Sequence, residues 1–292
     1  FVKEETKKLL HVSDDVSSAI VSYAKEQFDY CGIIPHYHHI LIEFVAEEKR
    51  AIFHMGYGRR VNDCLSRAVA FVIARKYHKD VELTMNDYGF SISGITRDQA
   101  SESFALLKKE KLDLLMNSAI EGSEVYKRRF RHCAARALMI LRNYLGRQKR
   151  VGRQQVSSMI LLAALKRISN DFTILKEARR EVLEDLMDIE SAKTVLEWIE
   201  TGRTKVSVIE TSMPSHFAFS IAYQGTLDTM KIEDRHAFLR RMHEYVLAKI
   251  AQKENFLKRP LLAQTITKPF KYQEYWEKEG EVKKSESVEV KG

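Results

Sequence analysis

The chain has 292 residues, 45% hydrophobic and 30% charged, with a formal net charge of +8 and an isoelectric point near 9.2. That length excludes a peptide-sized module, because it buries a substantial core, and the basic excess makes a polyanion the first partner to consider. Three scattered cysteines, Cys31, Cys64 and Cys133, form no CxxC pair, and no apolar run reaches membrane-span length; this excludes a disulfide framework or zinc ribbon and fits a reducing, cytoplasmic setting with no membrane partner.

The chain starts at Phe1 within a Lys/Glu-rich stretch, as a segment of a longer protein would. Ser13-Asp14-Asp15 predicts a helix start, with Val16, Ile20, Ala24 and Phe28 at helical spacing and Gly32 and Pro35 closing the segment. Two runs of β-formers, Ile40 to Val45 and Ala51 to Met55, predict a hairpin. After the turn Gly56-Tyr57-Gly58, the apolar positions Val61, Leu65, Ala68, Val69, Val72 and Ile73 predict a helix to about Tyr77. VELTMN and FSIS, joined through Asn86-Asp87-Tyr88-Gly89, predict a second hairpin. From Asp98 the pattern is helical over 98–117, 123–145, 153–168, 173–188 and 190–201, interrupted by one strand, KVSVIET, at 205–211. A last helix is expected over 231–257, ending before Pro260.

The fold class expected is therefore α+β, mostly helical, with a small mixed sheet near the amino side and a disordered C-terminal tail. The domain reading is a helical lead-in over 1–29, a small mixed α/β unit over 30–117, a predominantly helical region over 118–258 and the tail over 259–292.

Charge is most concentrated after residue 126. Between Glu124 and Asp171 there is no acid, while Arg128, Arg129, Arg131, Arg136, Arg142, Arg147, Lys149, Arg150 and Arg153 accumulate. A solvated helix face normally alternates sign, because i,i+4 pairs of opposite charge stabilise it and like charges cost a similar amount. On a helix, Phe130, Ala134, Ala137, Leu138, Leu141 and Leu145 form an apolar stripe and the arginines fall off it. Two readings follow. Either the arginines track nucleic-acid phosphate, for which the guanidinium fork suits bidentate contacts, or acids such as Glu177, Glu181, Glu184 and Asp185 pair with some of them across a helix contact. Under the first reading Gln154 and Gln155 donate to sugar or base edges near a helix start, and Tyr144 either stacks on a base or closes the core. A related alternative is that the basic face docks on acidic protein partners.

GYGRRVND, 56–63, is a glycine turn feeding a helix, but its spacing matches neither GxxxxGK[ST] nor GxGxxG. Arg59 and Arg60 at that helix start oppose the helix dipole, which calls for an anion or a carboxylate nearby and makes both secondary nucleic-acid candidates. HYHH at 36–39, with His54 beyond, raises a metal reading; without cysteine or carboxylate at a metal-ligand spacing it reads as a surface strand start, and no metal is assigned. GxSxG, HExxH and CxxC are absent, so no catalytic residue is assigned.

The ordered series YGRRVND, NDYGF, YKRRFRHCAARAL, GRQQVSS, KEARREVLEDLMDI, IETGRTKVSVIET and PSHFAF, from about Ile34 to Ala222, resembles the DEAD/H-associated region of Lhr-type superfamily 2 helicases, the archaeal branch more than the bacterial. That resemblance implies an accessory module, on single-stranded DNA or RNA, of an ATP-dependent helicase that moves 3′ to 5′. Its RecA-like motor and winged-helix domains would be partners, in the same or a separate chain. ATP and Mg belong to the full-length family; this sequence has no Walker A loop, DEAD or DEAH box or arginine finger, and no cofactor is assigned to it. One departure stands out: many relatives carry Pro-Ser-Pro-Phe-Ala where this chain has Pro214-Ser215-His216-Phe217-Ala218, which is expected to loosen the turn.

Overall fold

A computed structural model describes residues 2–141, 143–144, 147–148, 150–224, 239–248 and 250–251. Arg142, Leu145, Lys149, the expected tail and part of the expected last helix lie outside the described residues, and only the backbone of Tyr144 and Arg147 is described.

Helices α1 (Val2–Leu10) and α2 (Asp14–Cys31) lead into the hairpin β1 (His39–Val45) and β2 (Arg50–His54), then α3 (Arg59–Tyr77) and the hairpin β3 (Glu82–Asn86) and β4 (Gly89–Ser93). Helices α4 (Arg97–Ala105), α5 (Leu112–Ile120) and α6 (Glu124–Arg136) follow, then the two-residue strands β5 (Asn143–Tyr144) and β6 (Arg147–Gln148). Next come α7 (Val151–Ile168), α8 (Thr173–Arg180) running into a π-helical turn at Glu181–Leu186, α9 (Ile189–Glu200), β7 (Lys205–Thr211) and α10 (His216–Ala222). Residues 239–248 are helical.

The main sheet has the order β3-β4-β2-β1-β7, antiparallel except for the β1–β7 pair. Alternation along β1 and β2 assigns the two faces. Ile40, Ile42, Phe44, Ala51 and Phe53 join the main apolar cluster with Val61, Leu65 and Val69 of α3, while Val45 and Ile52 pack against Ala218 and Ile221 of α10. The main cluster continues without a break into α4, α5, α6, α8 and α9. The mixed, mostly helical α+β architecture expected from the sequence is therefore present.

Three local expectations are corrected. The helix expected over 98–117 divides, because the Lys109 N–H donates to Glu200 Oε1 at 3.0 Å and a short 3-10 turn intervenes before α5. The helix expected over 123–145 stops at Arg136: Leu138 adopts a φ of 58°, and the N–H groups of Met139 and Ile140 fold back onto the Ala134 carbonyl at 2.9 and 3.2 Å. The buried face of α6 is thus Tyr126, Phe130, Cys133 and Ala134, while Ala137, Leu138 and Leu141 face outward. In α2 the expected stripe is rotated. Val16, Ile20 and Phe28 are exposed and Ser17, Gln27 and Tyr30 are buried, because Gln27 Oε1 accepts from the Phe217 N–H at 3.2 Å and the Tyr30 hydroxyl donates to the Met213 carbonyl at 2.9 Å. Gly32 ends α2 as expected, with a φ of 74° and its N–H bonded to the Phe28 carbonyl.

The turn before α10 is not loose, although it lacks the second proline. Glu43, fully buried on the α10 side of β1, accepts from the Ser215 N–H at 2.7 Å, the Ser215 hydroxyl at 2.6 Å and the Thr211 hydroxyl at 3.1 Å, and bonds His54 Nε2 at 2.9 Å. A buried carboxylate with its partners satisfied persists, whereas removing one member strands the others away from water. Glu43→Ala is expected to lower the unfolding free energy by about 3–5 kcal/mol, measured by urea denaturation of the chain; a loss under about 1 kcal/mol would mean water reaches these donors.

Candidate nucleic-acid interface

On α6, positions 129 and 136 are seven apart and share a face, whereas 128 and 131 lie on another. The structure separates the arginines along that line. Arg129 Nη1 lies 3.8 Å from Glu181 Oε2, and Arg136 Nη2 donates to Glu181 Oε1. Glu181 opens the π-helical turn after α8 and is buried. One cationic face of α6 is therefore paired with a carboxylate from inside the protein.

The other face is not. Arg128 and Arg131 line a groove of about 300 Å³ between α6 and α7, together with Gln155, Ser158 and Met159. Among the described residues no carboxylate pairs with Arg128, Arg131, Arg150 or Arg153, whereas Lys127 pairs with Glu124 at 2.7 Å and Lys166 with Glu121 at 2.9 Å. Arg150, Arg153 and Gln155 are exposed at the first turn of α7, and Gln154 is half-buried beside them. The remaining acids named from sequence serve Arg180, whose guanidinium reaches Glu177 at 2.8 Å, Asp185 at 3.3 Å and Glu184 at 3.6 Å. Its hydrogen bond holds the Glu177 carboxyl below the usual carboxylate range. Glu177, Arg180 and Asp185 share a second groove, of about 470 Å³, with Arg136 and Glu181, and the mixed charge there suits an internal ion-pair network better than a phosphate.

At the start of α3 the carboxylate called for by Arg59 and Arg60 is Asp87, whose Oδ1 accepts from the Arg59 N–H at 3.1 Å. The Arg59 side chain is exposed. Arg60 instead donates to the main-chain carbonyls of Glu184 and Met187, the latter at 3.4 Å, the end of the π-helical turn where a cation is favoured.

A second surface was not singled out in sequence. Tyr37, half exposed, meets Trp198 of α9 at 5.1 Å between ring centroids and Tyr57 at 5.4 Å, and the Tyr57 hydroxyl donates to the Tyr37 carbonyl at 2.7 Å. Arg203 lies over Trp198 at 5.0 Å. Aromatic rings with an arginine alongside form a platform of the kind on which bases stack. The signal available was Tyr37 and Tyr57 flanking two turns, but nothing local joins them to a tryptophan far along the chain.

Of the histidines in HYHH, His39 Nε2 bonds the Ser207 hydroxyl at 2.8 Å and His36 Nδ1 accepts from the His38 N–H at 3.2 Å, while His54 bonds Glu43. Nor is a thiol activated in the core, since burial pushes Cys64 up to about 12 and also raises Cys133. Among the described residues no helix is long and apolar enough to cross a membrane.

A family profile described as DEAD/H associated matches residues 34–218. The chain is 47% identical over 244 residues to the ATP-dependent helicase Lhr-Core of Methanothermobacter thermautotrophicus, covering 82% of this chain and 28% of that protein. It is 38% identical to the Lhr-Core helicase of Saccharolobus solfataricus, with 86% and 30% covered, and 28% identical to the Lhr helicase/uracil glycosylase of Escherichia coli, with 72% and 14% covered. The chain thus spans less than a third of the length of these relatives, and the archaeal ones are nearer in sequence. A solved structure of Mycobacterium smegmatis helicase Lhr bound to ssDNA and AMP-PNP superposes with a TM-score of 0.66 at 26% identity, over 75% of this chain and 29% of that one.

The two faces of α6 differ in what their arginines do for stability. Arg129→Ala, which leaves Glu181 short of a partner, is expected to cost about 1–3 kcal/mol, and Arg128→Ala less than about 0.5 kcal/mol. Thermal unfolding of the two variants in parallel checks this, and equal losses would contradict the partition.

Proposed function

The chain belongs to the DEAD/H-associated family of Lhr-type helicases, and from that premise we propose that it is the nucleic-acid-holding accessory segment of an ATP-dependent 3′-to-5′ helicase, keeping a single strand of DNA or RNA in place for RecA-like motor and winged-helix domains. ATP and Mg would act on the motor, in the cytoplasm, and not on the residues described here. The observation that carries the reading is the acid-free span between Glu124 and Asp171, of which Arg128, Arg131, Arg150 and Arg153 have no carboxylate partner among the described residues. Phosphates gain by displacing counterions at such a surface. Gln154 and Gln155 lie at the same end of α7 to donate to sugar or base edges. Arg142, Arg147 and Lys149 belong to the same stretch of sequence. Arg129 and Arg136 contribute to the local potential while anchored to Glu181, and Arg59 and Arg60 are secondary contacts. The Tyr37–Trp198 platform supplies stacking without base selection. That the Mycobacterium smegmatis helicase was solved with ssDNA supports the same reading.

A second reading has one observation in its favour. Leu138, Val156, Met159 and Ile160 are exposed on and beside α7, and an apolar surface among arginines suits docking on the motor domains or another acidic protein. Salt separates the two.

In fluorescence anisotropy with labelled single strands, log affinity should fall linearly with log salt. Reversing Arg128 and Arg131 to Glu together should reduce the magnitude of that slope by about 1.4, at roughly 0.7 per lost phosphate contact. An unchanged slope would move the strand off this face and leave the docking reading. Trp198→Ala is expected to weaken strand binding by about 1–3 kcal/mol whatever the base composition, read in the same titration; no change would remove the platform from the path.

A further inference from the structure

Three segments far apart in sequence bring one carboxylate and two imidazoles together. Glu26 comes from the fourth turn of α2, His216 from the first residue of α10 and His243 from the helical residues 239–248. One donor atom from each lies within 4.8 Å of the others. Glu26 Oε2 is 2.9 Å from His243 Nε2 and 3.4 Å from His216 Nε2, and the two imidazoles meet at 4.7 Å between centroids with an interplanar angle of 76°.

His216 makes this more than a surface ion pair. Its side chain is 2% exposed, and neither Nδ1 nor Nε2 has a hydrogen-bond partner. A buried imidazole left so costs about 1–3 kcal/mol unless something occupies the space it faces. Its pose is held from outside the cluster: the Tyr23 hydroxyl donates to the His216 carbonyl at 3.0 Å, and the Tyr23 and Phe219 rings flank the imidazole at 5.7 and 5.8 Å. Glu43, the nearby buried acid, already has its oxygens committed to Ser215, Thr211 and His54.

We propose that Glu26, His216 and His243 form a binding site for a divalent transition metal, zinc by its donor set, that ties the helical residues 239–248 to α2 and α10. Two imidazole nitrogens and one carboxylate oxygen suit zinc. Bonds of about 2.0–2.1 Å in a tetrahedron set neighbouring donors about 3.3 Å apart; the two carboxylate–imidazole separations, 2.9 and 3.4 Å, lie near that spacing, and the third pair lies within 4.8 Å. His243, with a side chain 44% exposed, opens the site to solvent, and water takes the fourth position. The inference departs from the sequence reading, which assigned no metal, and is independent of the nucleic-acid reading.

The test is isothermal titration of the chelator-treated 292-residue chain with zinc sulfate alone, with magnesium chloride as the control cation. One equivalent of zinc should bind, magnesium should not compete, and cobalt in place of zinc should give the visible absorption of a four-coordinate site. His243→Ala, at a half-exposed position, should weaken zinc by more than about 100-fold, beyond what loss of an outer-shell partner costs; Glu26→Gln should do the same without emptying the core. Circular dichroism of both variants verifies the fold, and if one fails to fold the other decides. Absence of stoichiometric zinc binding, or zinc affinity unchanged in a folded variant, would overturn the site.

Discussion

The α10 side of the sheet depends on one buried carboxylate. Glu43 of β1 binds His54 of β2, Thr211 of β7 and Ser215 at the start of α10, so four segments converge on two oxygen atoms. β7 runs parallel to β1, and a parallel neighbour needs a long crossover, here everything from β2 to α9, most of it the helical stretch after β4. The ladder aligns the strands, and Glu43 then fixes where the chain leaves β7 and turns into α10. Tyr30 and Gln27 fasten α2 to that same turn, which in turn sets the position of Glu26.

The crossover is also where the charge lies. Its helices share the apolar cluster of α3, so their outer faces present whatever the sequence leaves unpaired. On α6 the ion-pairing reading of the arginine run holds for one side only. The π-helical turn at Glu181–Leu186 brings one buried carboxylate to Arg129 and Arg136, and that single acid fixes α6 against α8. Arg128 and Arg131 turn toward α7, in a groove whose one lining acid, Glu124, is paired with Lys127. Repulsion among them is tolerated because they are in or near solvent, where screening is strong.

Exposed apolar residues complicate a purely electrostatic surface. Val156 and Ile160 on α7, and Leu138 after α6, sit among the cations. The archaeal relatives are about three times as long as this chain, so an apolar surface among cations has further protein parts available to cover it in proteins of that length. Phosphate contacts and aromatic stacks are both sequence-blind.

Periodicity alone determined most of the elements: the two hairpins, α3, β7 and the helical character beyond Asp98 all lie where local patterning puts them, because main-chain hydrogen bonds in helices and tight hairpins connect near neighbours. The acid-free run was legible for the same reason, being a property of consecutive residues. What only the tertiary structure decided was which face points where. The rotation of α2 follows from a hydrogen bond between residues 190 positions apart, the neutralisation of Arg136 from a carboxylate 45 positions on, and the meeting of Tyr37 with Trp198, or of Glu26 with His216 and His243, from the closing of the sheet. A sequence window records the spacing of side chains along one element, and long-range polar contacts select among faces that the spacing leaves nearly equivalent.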